Sequence, residues 1–495
     1  MKPKTISRRT RQGFASMAIA ISLLFTIATI SLAGWVTIDT NDQYEEIDAN
    51  WASVTPVYQD TTNDAGVDDR DEIKMVKFTF DGDAMYFLMQ SWHGADILSS
   101  DSMRAIAALD CNNNGTFNDA DDVGQTNGDR LIIRYNFDQV MIYDGGGNNL
   151  IAANPDWGDT DGNQTEWQAP LKNLPPGCRG TKAPIPIAFS IVEVTGGSST
   201  TLSQTDVYQM DNPIDFGDAP NTVSWDNQQG FICDRYDTKL PCDGPRHGVT
   251  SLQLGPTIDS DGGELADDPA LADDTNYDSA PDDEDGVAPS PAITWTAGGT
   301  GSLDVNVTGG SGYLNCWIDW DRDETFETGE QVITDQALSA GDHTINVNVP
   351  ASVAFDGPYM ARCRLSPNPN EGTTPTGPVY GGEVEDHDWL IQPVDLSIAI
   401  NGSNVDLSWT HLSQNDAEWA YKSTTPYFDR ASASALGTAC TSGSCTVSDT
   451  GVVGGTPNAF YYKAYGEADV SGTTIYSTPS KEVGLFEFEL VPGTN

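Results

Sequence analysis

Cations are scarce in this chain: 24 Lys and Arg stand against 73 Asp and Glu, a formal net charge of −49. That balance speaks against a nucleic-acid partner, since phosphate binding needs a basic surface that releases counterions. Anionic membrane surfaces are disfavoured for the same reason. Histidine is nearly as rare, at positions 93, 247, 343, 387 and 411. No H-E-x-x-H, G-x-S-x-G or Walker A sequence occurs, so no catalytic residue is assigned and the chain is expected not to be an enzyme. No cysteine stands in a C-x-x-C, which leaves a zinc ribbon or thioredoxin-like motif unsupported. Beyond the N-terminal leader there is no long helical period, and the βα alternation of most enzyme folds is missing.

The leader sets the expected compartment. Five basic residues precede an apolar run from Phe14 that closes on Ser31-Leu32-Ala33, with the small residues a signal peptidase requires. Residues 1–33 read as a secretory signal; the alternative is a retained anchor, the only route by which the chain would reach a membrane. A secreted or cell-surface protein follows. Eight cysteines fit export and suggest the disulfides Cys111 with Cys178, Cys233 with Cys242, Cys316 with Cys363, and Cys440 with Cys445.

With 38% hydrophobic residues and 12 Trp, the chain has the material for cores despite its acidity. Period-two runs dominate, as in "IKMVKFTFDGDAMYFLMQSW" (73 to 92), where Asp81-Gly82 marks a hairpin. The expectation is an all-β protein of three antiparallel β-sandwich domains in series, at 34–212, 213–392 and 393–495. The stretch 259 to 286 is too acidic for a core and reads as a loop, solvated or ordered by metal.

Two loops carry the spacing of a twelve-residue calcium site, with oxygens from positions 1, 3, 5, 7 and 9 and a carboxylate at 12. In "DWDRDETFETGE" these are Asp319, Asp321, Asp323, the Thr325 carbonyl, Glu327 and Glu330, with Glu324 at the sixth place where glycine normally turns the chain. In "DCNNNGTFNDAD" they are Asp110, Asn112, Asn114, the Thr116 carbonyl, Asn118 and Asp121, with Gly115 at the sixth place. Both follow β-like runs, so they are EF-hand-like loops on sandwiches, and Ca²⁺ is the expected, structural cofactor. Asp283 and Asp285 in "DDEDG" are added as further candidate ligands.

"IDFGDAPNT", "GPRHGV", "LQLGPTIDSD", "DDEDGV", "WIDWDRDETFETGEQV", "YMARCRLS" and "GGEVEDHDW" occur in the order seen in GEVED domains. The middle block therefore resembles that family, which implies an extracellular β-sandwich module and no catalysis. The last block resembles fibronectin type III modules through Trp409 in "VDLSWT", Tyr421 and "NAFYYKAYG", its aromatics reading as core. Through "FTFDGDAMYFLMQSW", "LDCNNNGTFNDADD" and "EWQAPLKNL", the first block resembles family 9 carbohydrate-binding and DOMON-like sandwiches. That likeness implies sugar binding, with Trp92, Trp157 and Trp167 as candidate platforms, the alternative being that they are partly buried packing residues; haem binding would need His93 and Met89. The functional expectation is a non-enzymatic structural or adhesive protein of calcium-stabilised sandwiches. The alternatives are a carbohydrate-binding protein acting through the first block, or an accessory of a surface filament or enzyme complex. Polysaccharide or other surface proteins are the expected partners.

Overall fold

The computed structural model describes residues 29–30, 35–37, 47–61, 72–92, 103–115, 117, 129–135, 139–144, 149–154, 158–179, 184–195, 198–210, 213–226, 230–261, 263, 270, 283–454 and 459–486. Among them there is no α-helix; strands and short 3-10 turns make up the regular structure. None of the described helices is long and apolar enough to cross a membrane. Of the leader, only Thr29–Ile30 is described, as a short strand pairing in parallel with Tyr208–Met210.

The Asp81-Gly82 signal holds. The strands Ile73–Phe80 and Ala84–Ser91 pair antiparallel, with Phe80 opposite Met85. Asp81 sets the turn, its carboxylate accepting from the backbone N–H of Asp83 and Ala84 at 2.8 and 2.9 Å. The second strand is apolar at nearly every position because both its faces are covered. Met85, Phe87 and Met89 enter the main core, while Ala84, Tyr86 and Leu88 pack under Trp51 and Val54. The hairpin belongs to a five-stranded sheet that packs on an eight-stranded one built around Met103–Leu109, Arg130–Tyr135 and Ile185–Thr195. Ile214, Phe216 and Leu240, past residue 212, also pack into this first core.

In the middle block, Thr300–Thr308 lies between Val287–Pro289 and Gly341–Asn348. The facing sheet runs in the order Gln331–Leu338, Gly312–Ile318, Tyr359–Ser366, Glu383–Trp389. Every residue of Tyr359–Ser366 is buried. Tyr359, Ala361, Cys363 and Leu365 enter the apolar core, and the alternation of a strand turns Arg362 and Arg364 to the other face. That face is sealed by the segment around Asp215, Tyr236 and His247, so both arginines are fully buried. The last block packs Asn404–Thr410 and its two neighbours against a five-stranded sheet around Ala417–Ser423 and Ala459–Val470. Trp409 and Tyr462 lie in that core.

All four expected cysteine pairs are disulfides. Cys316 and Cys363 stand directly opposite on neighbouring strands, so that bridge is cross-strand. The bridge from Cys111 to Cys178 ties the start of the Asn-rich loop to a turn on the other sheet's side of the core.

Candidate metal centre

The loop that leaves the strand Gly312–Ile318 begins on a buried acid. Asp319 is fully buried and Glu330, twelfth in the count, nearly so; Asp321, Asp323, Thr325 and Glu327 are exposed. The two buried carboxylates shape the loop through its backbone. Asp319 accepts from the N–H of Arg322 at 2.6 Å and of Glu324 at 3.0 Å, and from the Tyr236 hydroxyl at 2.7 Å. Glu330 accepts from the N–H of Trp320 at 2.6 Å and of Glu327 at 3.2 Å. The polypeptide is thus wrapped so that the remaining acids converge. Ligand oxygens of Asp319, Asp321 and Glu330 lie within 4.8 Å of one another, as do those of Asp321, Asp323 and Glu327. Asp321 is the member common to both groups.

Glu324 adopts φ 70°, the left-handed conformation that glycine supplies in such loops, and Arg322 does the same at 58°. The Glu324 side chain then reaches out to Arg235, 3.2 Å away. Burial holds the Asp319 carboxyl above its usual range and pushes Glu330 up to about 8, the Glu327 carboxylate adding to the latter. Such carboxylates favour a cation beside them. The residues fit a hard divalent ion: an all-oxygen donor set, with two buried carboxylates, Asp319 and Glu330, anchored by backbone contacts and the other four groups exposed for entry.

The Asn-rich loop is built alike in its described half. Asp110 is buried, and accepts from the N–H of Asn114 at 3.0 Å and of Gly115 at 2.9 Å; Gly115 has φ 83°. In both loops, therefore, the first acid holds the N–H of the sixth residue, which is left-handed. Both also carry Phe at the eighth place: Phe117 covers the outer face of the larger sheet, and Phe326 lies against Tyr236 at 4.9 Å. Asn112 accepts from Asn114 N–H at 3.1 Å. Thr116, Asn118 and Asp121 lie outside the described residues.

Other expected site residues fall elsewhere. Asp283 accepts from the N–H of Asp259 at 2.9 Å, and Asp285 from the Thr257 hydroxyl at 2.8 Å. Among the described residues neither joins a group of three ligand side chains. The residue between them does: Glu284, Glu385 and His387 bring ligand atoms within 4.8 Å. Sequence reading missed this set because Glu284 meets the other two only in the tertiary fold; the histidine following "GEVED" was its one signal. Trp167 is corrected from ligand platform to core residue. It is fully buried against Phe87, because its strand turns alternate side chains between the sheets. Trp92 is half-buried with the Lys74 ammonium 5.1 Å from its ring centre. Trp157 and His93 lie outside the described residues, and Met89 is buried in the apolar core rather than open to a haem.

Behind the "GEVED" strand lies a layer of buried charge. Arg362 forms a two-pronged pair with Asp386 at 2.7 and 2.8 Å. Arg364 donates through Nε to His247 Nε2 at 3.0 Å, so that nitrogen is an acceptor and His247 Nδ1 carries the proton it gives to Gly381 O at 3.0 Å. Burial, then the Arg364 charge, holds the His247 pKa well below its ordinary value. Because the folded pKa lies below the unfolded value of about 6.5, the unfolded chain takes up the proton first as pH falls. Stability is therefore fully present above about pH 6.5 and is lost below it, by up to about 1.4 kcal/mol per pH unit from this residue. Melts from pH 7.5 to 5 should show this fall, and His247→Asn should flatten it; an equally steep fall in the variant would assign it to other groups.

Residues 313–389 match the GEVED domain, covering the strands and loop just described. No curated protein sequence matches the chain. Similar solved structures include the chicken interferon gamma receptor alpha chain (10% identity, 40% of this chain and 97% of that one, TM-score 0.17). Others are the human OSCAR ligand-binding domain (13%, 40% and 96%, TM-score 0.16) and the FN1–FN3 domains of chicken CNTN1 (8%, 84% and 98%, TM-score 0.19). At such TM-scores these likenesses carry no argument. The resemblance of the first block to DOMON-like modules finds no support among these matches.

Proposed function

We propose that the chain is a non-enzymatic secreted or cell-surface protein with a structural or adhesive role, its sandwiches stabilised by calcium at Asp319–Glu330 and at the loop opened by Asp110. The observation that carries this reading is the convergence of two carboxylate groups on Asp321, in a loop whose buried acids bind its own backbone. Asp319, Asp321, Asp323, Thr325, Glu327 and Glu330 would hold the ion. Its contribution is to neutralise clustered like charges that otherwise oppose folding.

The leader and four disulfides support an oxidising, external location. Fractionation of expressing cells, with mass-spectrometric mapping of the mature N-terminus, tests that part. Protein outside the cytoplasm beginning near residue 34 is expected. A cytosolic chain beginning at Met1 with reduced cysteines would contradict it.

A further inference from the structure

Where the first sandwich meets the GEVED block, a crevice of about 480 Å³ opens between the Asp81-Gly82 hairpin and the segment Asn370–Tyr380. Its aromatic wall is Trp35, half-buried, and Tyr380, 45% exposed, with ring centres 5.7 Å apart. The indole has a made seat. A β-carbon on Gly82 would lie 2.8 Å from the Trp35 ring, and one on Gly248 would lie 2.9 Å from it and 3.0 Å from Tyr380. Glycine at both places is what lets the ring settle.

The crevice is also held in shape from behind. Arg246, buried, donates to Gly82 O at 2.5 Å and pairs with Asp83, while its other contacts reach Gly244 O at 2.6 Å and Asp243 at 3.0 Å. The guanidinium thereby ties the hairpin of one block to the other. The crevice is also lined by the hydroxyls and amide of Thr37, Asn370, Thr373 and Thr374 and by the carboxylates of Asp81, Asp83 and Glu371.

We infer that this crevice binds a neutral saccharide, stacked on Trp35 and Tyr380 and hydrogen-bonded by the polar lining. A fixed aromatic wall, its two rings inclined at 51° to each other, beside hydroxyl and amide groups suits a ring that has C–H groups on one side and hydroxyls at its rim. The three carboxylates of the lining already serve the fold, which leaves them less available to a basic peptide. Asp83 is paired with Arg246, and Asp81 accepts from Thr37 at 2.7 Å and from Tyr86 at 2.9 Å. Glu371 accepts from the Asn368 amide at 3.1 Å. The inference is independent of the calcium loop.

Native affinity electrophoresis of the full chain through gels containing hydroxyethylcellulose, galactomannan or xylan tests it. Retardation by at least one polysaccharide is expected. Tyr380→Ala should weaken it at least tenfold with an unchanged melt, Trp35→Ala should weaken it as far, and Tyr427→Ala, an exposed tyrosine of the last sandwich outside the crevice, should leave it intact. Tyr380 is exposed, so its variant keeps the test valid even where Trp35→Ala fails to fold. No retardation in any gel, or full retardation of Tyr380→Ala, would overturn the inference.

Discussion

Arg362→Ala is expected to destabilise the middle sandwich by about 3–5 kcal/mol, the cost of leaving one partner of a buried ion pair alone. Both side chains of the Arg362–Asp386 pair are fully buried. The guanidinium also donates to Tyr236 O at 3.1 Å, Pro375 O at 3.0 Å and Thr238 Oγ1 at 2.8 Å. Removing it strands these acceptors and leaves the Asp386 carboxylate only the Ala219 N–H, at 2.9 Å. Arg362→Lys should recover little, since an ammonium cannot reproduce the planar fork. Replacing both partners, as in Arg362→Met with Asp386→Leu, should restore much of the loss by removing the orphaned charge. Urea unfolding of the three variants checks the series. A loss below about 1 kcal/mol in Arg362→Ala would show that the pair is solvated rather than sealed.

The fold class was legible because the alternation of strands is written in short windows, and the hairpin at Asp81-Gly82 because its turn chemistry is local. The calcium-like spacing was legible for the same reason, down to the misfit at Glu324. In the structure that misfit resolves into a non-glycine residue held left-handed, its N–H fixed by Asp319. What could not be read was any pairing made across distance. "YMARCRLS" reads as a strand with Cys363 at an interior position, but only the segment around His247, 117 residues from Arg364, turns its other face into a buried charge layer. Trp167, open in the sequence to a platform or a packing role, is decided by the alternation of its strand, which puts the ring inside, while Glu166 accepts from the Trp51 indole at 2.6 Å on the other face. Trp35, just after the leader, drew no attention because its glycine seats come from 47 and 213 residues further along.

Calcium removal should have the other large effect. Extracellular calcium modules bind at about 10⁻⁴ to 10⁻³ M. At about 10 mM calcium, linkage then contributes roughly 1.4 to 2.7 kcal/mol per site, or a rise of about 3–10 °C for a domain of this size. Asp321→Ala should abolish most of the rise that belongs to its loop, because it takes a carboxylate from both converging groups at once. In EDTA the same variant should melt no lower than the parent, since the exposed Asp321 has only its like-charged neighbours to repel there. Loss of a merely structural side chain would lower both melts alike.

The most direct test is therefore a calcium-titrated thermal melt of the parent and Asp321→Ala side by side. The prediction is a saturable rise in the parent, of which the share belonging to the Asp319–Glu330 loop is largely missing in the variant, with the variant melting no lower than the parent in EDTA. Identical parent melts in calcium and in EDTA would contradict the calcium-stabilised sandwich.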